Sequence, residues 1–350
     1  MHLLPVFVSF VNLIFGVDQA EIVFAGDAMQ HQAQLDAARC KDGTYDYSKC
    51  FEEIAPYIRT ADYAVVNLET PVGGSNFTGY PCFNAPVSYA RALSDAGFDL
   101  LLTANNHTLD RRDKGLHVTI DSLDNVGIQH IGTYHCSASR DSIMPFVKDI
   151  SGIKVGFLNY TYGTNGIEIK GEAVVDYIDR DLISRDLAKL RDAGAEILTV
   201  AVHWGDEYHL IENSAQRSLA DFLVGEGVDL IIGGHPHVIQ PMEVRHNSSL
   251  DKDVLVVYSL GNFISNMKTR DTRGGAIVKV NLVRDRDGVA RFKSAGYKLV
   301  FTEPPVSPDD NFKLVIADDY DGPWKAACKA FVSAAEDIFN RHNVNVSRWP

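Results

Sequence analysis

Clustered positive charge is what this 350-residue sequence has least of. Lys and Arg total 33 against 46 Asp and Glu, a formal net charge of −13, and no basic group stands out beyond Arg111-Arg112 with Lys114. Phosphate-backbone affinity comes from clustered Lys and Arg, so the balance argues against a nucleic-acid partner. Cysteine is scarce too. Cys40, Cys50, Cys82, Cys136 and Cys328 are too few for a disulfide framework and lack the paired CxxC spacing of a zinc ribbon. With 13 prolines, no repeat and no low-complexity tract, disorder and collagen-like architectures are excluded. What is present, 45% hydrophobic and 23% charged residues, builds a large core in one big domain or two modest ones.

The N-terminus is set apart. Leu3 to Val17 (LLPVFVSFVNLIFGV) is apolar throughout, shorter than the roughly 20 residues that span a bilayer and about the length of a signal-peptide core. Residues 1–20 therefore read as a secretory signal, which makes the protein extracytoplasmic: secreted, periplasmic or on the cell surface. The n-region has no Lys or Arg, and Asp18 lies three residues before the cleavage point after Ala20. In an exported chain Cys40 and Cys50 are candidates for one bridge. Later stretches are too short or too polar to cross a membrane.

From Glu21 onward, short runs rich in Val, Ile and Leu alternate with helical patterns. Strands are expected at 21–26, 63–68, 99–103, 153–159, 196–202, 229–233, 254–260 and 276–282. Helices are expected near 51–60, 88–96, 115–126, 180–193 and 214–225, with Gly97, Gly127, Gly194 and Gly227 at their ends. Such alternation gives an α/β sandwich with its ligand site at the carboxyl ends of the strands. The polar stretch 70–86 is a long surface loop, a length that is often functional. The Pro-rich turn 304–308 separates a C-terminal segment with a helix near 323–340 that covers the sheet.

Residues able to bind metal gather at these strand ends. Asp27 follows the first strand, Asn67 and Glu69 the second, Asn105-Asn106-His107 the third, and His203 and His235-Pro236-His237 two later ones. Singly, Gly-Asp is a turn, Asn-Asn-His a helix cap, His203 a hydrogen-bonded core histidine and His-Pro-His surface decoration. Five such coincidences point instead to a metal site. Carboxylate, imidazole and amide donors together suit Mn, Fe, Zn or Ni better than Ca. Asn262, after Gly261, either reaches the site or packs.

The motifs GDAM (26–29), NLE (67–69), ANNHTLD (104–110), HWGDEY (203–208), GGHPHV (233–238) and YSLGNF (258–263) resemble the CapA-type poly-γ-glutamate capsule synthesis proteins, which are similar to calcineurin-like metallophosphoesterases. The resemblance covers roughly residues 21–300. It implies a four-layer α/β/β/α sandwich over 21–302, followed by an extension, 303–350, whose helix packs on the domain. It also implies metal ligation by Asp27, Glu69 (bridging), Asn106, His203, His235 and His237, with His107 as the acid beside the leaving group. Two departures from the wider phosphoesterase pattern stand out. Met29 replaces a histidine ligand, and Thr108 follows His107 where an acid is usual. Methionine is a poor ligand for a hard cation, so Asn67, with Asn105, is a candidate for an additional site.

The implied chemistry is hydrolysis. Two divalent ions about 3.5–4 Å apart would present a metal-bound hydroxide at neutral pH to an amide or a phosphoester. Arg111, Arg112 and Lys114 read either as a grip on an acidic polymer or phosphate, or as a solvated helix start. Trp204 and Tyr208 read as pocket wall or as packing. Three functions stay open: a hydrolase of capsule or cell-surface polymer of the poly-γ-glutamate type, a phosphoesterase, or a non-catalytic accessory partner of a membrane-bound polymer synthase.

Overall fold

The computed structural model describes residues 18–349; the apolar run Leu3 to Val17, and with it the signal-peptide expectation, lies outside them. All eight expected strands form, and they fall into two mixed sheets. In the first sheet the central strand Gln19–Ala28 pairs in parallel with Tyr63–Leu68, which continues in parallel to Leu100–Leu102 and Gln129–Ile131. On its other side it pairs antiparallel with Gly274–Arg284. In the second sheet Ile153–Thr161, Ile197–His203, Leu230–Gly234 and Lys252–Val257 run parallel, with antiparallel edges Val147–Ile150 and Met242–Asn247.

Residue alternation explains the stacking, because successive strand side chains point to opposite faces. Ile22, Phe24, Val65, Leu100 and Leu102 face Val155, Phe157, Ile197, Leu230, Ile232 and Val257 in one core between the sheets. Val23, Val66 and Leu101 turn outward beneath Tyr89 and Leu93 of the helix Val87–Ala96. Leu158, Val200 and Ile231 turn outward beneath Ile183, Leu187, Leu219 and Leu223 of the helices Arg180–Asp192 and Ser214–Gly225. The result is a four-layer α/β/β/α sandwich.

Helix starts follow their capping chemistry. Asp179 accepts from the Leu182 N–H, and Asn213 and Gln216 form a reciprocal capping box. The helix expected over 51–60 shrinks to Ala55–Ile58, with Pro56 in its first turn, since proline donates no backbone hydrogen bond and keeps its predecessor out of helical geometry. Past residue 302 the chain stays on the sandwich. Lys313–Ile316 adds an antiparallel strand to Ala290–Glu303, and Ser347–Arg348 pairs with the same strand. The helix Lys325–His342 buries Cys328, Phe331, Ala335 and Phe339 against this side of the sandwich. The five cysteines are free thiols, so the Cys40–Cys50 bridge is not formed.

Beneath the outer face of the second sheet, Arg140 (8% exposed) donates to Asp176 at 2.6 Å and to both carboxylate oxygens of Asp186. Asp186 also accepts from the Tyr160 hydroxyl at 2.8 Å. Removing the guanidinium strands two buried carboxylates. Arg140→Met is expected to lower unfolding stability by roughly 3–5 kcal/mol, measured by urea denaturation; a loss below about 1 kcal/mol would show that the acids recover solvent or other partners.

Candidate metal centre

Both sheets end their parallel strands at the same edge, and the metal-ligand residues meet there. Two close backbone approaches make this possible. A Cβ on Gly26 would sit 2.0 Å from the Gly261 carbonyl oxygen, and one on Gly233 would sit 2.1 Å from that of Tyr258. Glycine at these positions lets the strand ends carrying Asp27 and His235 close on the 258–263 segment. His235 (φ 99°) and His237 (φ 57°) adopt left-handed backbone conformations that side chains disfavour. Such strain persists only where the surroundings hold it, and it concentrates at functional sites.

Asp27, wholly buried, accepts from Asn67 Nδ2 at 2.8 Å and from the His235 backbone N–H at 3.2 Å, and its Oδ2 lies 3.4 Å from His237 Nδ1. Asn67 Nδ2 is also 3.4 Å from His203 Nδ1. Glu69 is equally buried, yet neither carboxylate oxygen has a hydrogen-bond partner. Its Oε1 stands 3.5 Å from His203 Nε2 and 3.8 Å from His237 Nε2. Donor atoms of Asp27, Glu69 and His203 lie within 4.8 Å of one another, as do those of Glu69, His235 and His237. Glu69 belongs to both groups. Asn106 Oδ1 accepts from His203 Nε2 at 2.9 Å, while its amide donates to Asn165 at 3.3 Å.

Burial is the largest single influence on each of these groups, and at Asp27 and His237 the neighbours together outweigh it. It drives His203 down to about 3 and His235 to about 2, and it lifts the Glu69 carboxyl well above the usual range, with Asp27 adding to the rise. Burial also pushes Asp27 upward, but the His237 hydrogen bond and the charges of His203 and His237 prevail and hold it at about 2. For His237, burial works downward and is outweighed by Glu69 and Asp27, which bring it to about 9.

A divalent cation fits this donor set. An unpartnered buried carboxylate is costly, and so is the buried His235 Nδ1 that no donor reaches; a cation between the two groups would satisfy both. The mixture of carboxylate, imidazole and amide oxygen suits Mn, Fe, Zn or Ni.

The other expected residues divide. His107 is buried beside the centre with Nδ1 2.8 Å from Asp110 Oδ2, which also accepts from the Phe83 N–H at 2.7 Å. Asn105 donates to the Leu68 carbonyl at 2.8 Å and accepts from the His107 N–H at 3.1 Å, so it shapes the loop. Met29 is buried, with its carbonyl accepting from Gln30, Gln34 and Tyr89. Asn262 reaches the site from behind: fully buried, it accepts from His237 Nδ1 at 3.0 Å and donates to the Thr272 carbonyl at 2.9 Å, fixing that ring. Trp204 does not line the pocket. Its Nε1 donates to the Tyr258 carbonyl at 2.8 Å, and its ring stacks on Tyr258 in the core. Tyr208 is at the mouth, 55% exposed, with its ring centroid 6.2 Å from that of His237. Arg111 precedes the helix Arg112–Val126 and Arg112 is exposed; among the described residues neither guanidinium hydrogen-bonds to the site.

Sequence reasoning missed Asp110 and Tyr162. Asp110 was legible as the acid three residues after His107. Tyr162 follows the strand Ile153–Thr161, so the strand-end rule reaches it; its ring centroid is 4.6 Å from that of His235.

A two-sheet sandwich with such a centre at its strand ends is the calcineurin-like metallophosphoesterase fold. The NAD nucleotidase (NadN) of Haemophilus influenzae has a similar structure: TM-score 0.52 at 11% identity, over 94% of this chain and 64% of that one. More narrowly, the chain belongs to the bacterial capsule synthesis protein family PGA_cap, whose profile matches residues 21–267. It is 28% identical over 249 residues to the capsule biosynthesis protein CapA of Bacillus anthracis, covering 68% of this chain and 59% of that protein's length. To the PGA biosynthesis protein CapA of Bacillus subtilis it is 26% identical over 271 residues, 75% of this chain and 68% of that one.

Two outcomes are expected. Added Mn²⁺ should raise the melting temperature of chelator-treated protein, whereas Glu69→Gln should melt no lower than wild type in chelator and gain little from Mn²⁺; an equal gain in both would separate Glu69 from metal binding. In chelator, stability should also fall on either side of neutrality. His203 and His235 stay neutral in the folded state while the unfolded chain takes up protons near pH 6.5, so their contribution is present above that pH and lost as pH falls toward 3. That of His237 is complete below about pH 6.5 and lost as pH rises through about 9. Melting curves from pH 5 to 9.5 test this, and a flat profile would overturn it.

Proposed function

We propose that the protein is an extracytoplasmic, metal-dependent hydrolase acting on a cell-surface polymer of the poly-γ-glutamate type. The observation that carries this reading is the buried, unpartnered Glu69 carboxylate shared by two groups of donor atoms. Asp27, Asn67, Glu69, Asn106, His203, His235 and His237 would hold the ions. Two bound divalent cations supply Lewis acidity, polarising the attacked group and making water acidic enough to be a nucleophile at neutral pH. Asp110 and Asn105 hold the His107 ring and backbone. With Nδ1 engaged, His107 Nε2 is the atom that can pass a proton to the leaving group. Tyr162 and Tyr208 border the mouth. The relatives' names supply the polymer context.

The fold favours a second reading, a phosphoesterase, and the same residues would serve it. Incubating poly-γ-glutamate with protein and Mn²⁺ or Zn²⁺, and following chain length by gel electrophoresis, tests the first reading. Cleavage lost in His203→Ala supports it; cleavage retained there sinks it. Turnover of p-nitrophenyl phosphate without polymer cleavage would favour the second reading, and a polymer-production phenotype indifferent to metal-ligand substitutions would leave an accessory role. On whichever substrate is turned over, His107→Ala should lower kcat by about 10²–10⁴-fold with metal content unchanged; an equal loss of bound metal would make His107 a ligand instead.

A further inference from the structure

A second histidine cluster lies in the seam between the helix Arg112–Val126 and the segment 129–135. His117 on the helix and His135, just after the strand Thr133–Tyr134, face each other with their Nδ1 atoms 2.8 Å apart. The rings are nearly parallel, 14° between planes, with centroids 5.0 Å apart. Asp121 lies one helical turn beyond His117, on the same face. Its Oδ1 is 3.3 Å from His135 Nε2. The arrangement repeats along the seam, where Asp124 Oδ1 stands 3.1 Å from His130 Nε2.

At His130 the Asp124 carboxylate accepts the Nε2–H and leaves Nδ1 as an acceptor, and Asp121 stands at ion-pair distance from the corresponding nitrogen of His135. This is the arrangement that orients metal-ligating histidines and raises their basicity. For His135 the free nitrogen is Nδ1, aimed at His117. For His130, 7% exposed, it is a buried Nδ1 with no hydrogen-bond partner. Without an ion, the close His117–His135 contact needs a proton on one of the two Nδ1 atoms. An ion relieves the need, because both nitrogens can then present lone pairs. Tetrahedral coordination at Zn–N bonds of 2.0–2.1 Å places two nitrogens about 3.3 Å apart, so the pair has to open by only about half an ångström. The His135 side chain is 37% exposed and that of Asp121 65%, which leaves an ion a path from solvent and room for water to complete its shell.

We propose that His117 and His135 form a second metal site, separate from the Glu69 centre, that takes an imidazole-preferring divalent ion (Zn²⁺, Ni²⁺ or Cu²⁺) with Asp121 as the positioning residue. The donors are nitrogens alone, so Mn²⁺ and Mg²⁺, which prefer oxygen, are poor occupants. A bound ion would clip the helix Arg112–Val126 to the segment after Tyr134. That helix follows directly on the 105–110 loop that places Asn106 and His107.

The test is metal counting on the purified full chain. After equilibration with Zn²⁺ and removal of free ion, elemental analysis should give one equivalent fewer in His135→Gln and His117→Gln than in wild type, with no difference when Mn²⁺ is used. Asp121→Asn keeps both rings and the fold, and should raise the dissociation constant for this extra equivalent by about 10–100-fold. With Cu²⁺ as probe, the electron paramagnetic resonance spectrum of wild type should contain a nitrogen-coupled component that His135→Gln removes, while the component from the imidazoles of the Glu69 centre stays. Equal Zn²⁺ content in wild type and both histidine variants, or a Cu²⁺ spectrum unchanged by His135→Gln, would reduce the cluster to a hydrogen-bonded histidine pair.

Discussion

Everything at the strand ends depends on holding the Glu69 carboxylate away from water with no donor in reach. A buried carboxylate ordinarily finds an arginine or a set of N–H groups, and this chain supplies that elsewhere: Arg140 neutralises Asp176 and Asp186. At Glu69 the neighbours are other metal-binding groups, namely His203, His237 and the carboxylate of Asp27, which pushes its titration upward. The folded protein therefore carries an electrostatic cost at its most enclosed edge, one that a cation removes.

That cost is sustained by the core between the sheets. Asp27, Glu69, Asn106 and His107 come from the first sheet, and His203, His235 and His237 from the second. No local segment could gather Asp27, Glu69 and His203, or Glu69, His235 and His237, with donor atoms within 4.8 Å of one another. Burial of Ile22, Phe24, Val65, Phe157, Ile232 and Val257 between the sheets fixes the spacing, and Gly26 and Gly233 allow the last approach. The left-handed backbone at His235 and His237 is part of the same constraint, since each histidine must turn back toward a centre that its strand has already passed.

Supporting residues then set the direction of each ring. Asn262 holds His237, Asn106 meets His203, and Asp110 holds His107 while tying down the loop that carries Phe83. Asp110 supplies a carboxylate three positions after His107, where the next residue, Thr108, supplies none.

The parallel strands could be read directly, because a strand buried on both faces is a continuous run of Val, Ile and Leu, and that signal is local. The order of ligand-type residues after those runs was equally plain. Less of the antiparallel structure was visible: Ala290–Glu303 alternates buried and exposed positions, and the edges Val147–Ile150 and Met242–Asn247 are half covered, so none forms an apolar run. The sequence by itself determined which residues stand at strand ends and what chemistry they can perform. Only the tertiary structure decided their roles, placing Asn262 behind His237 and Trp204 in the core. Those outcomes depend on which sheet a strand joins and how closely the two sheets approach, and neither distance is encoded within any one segment.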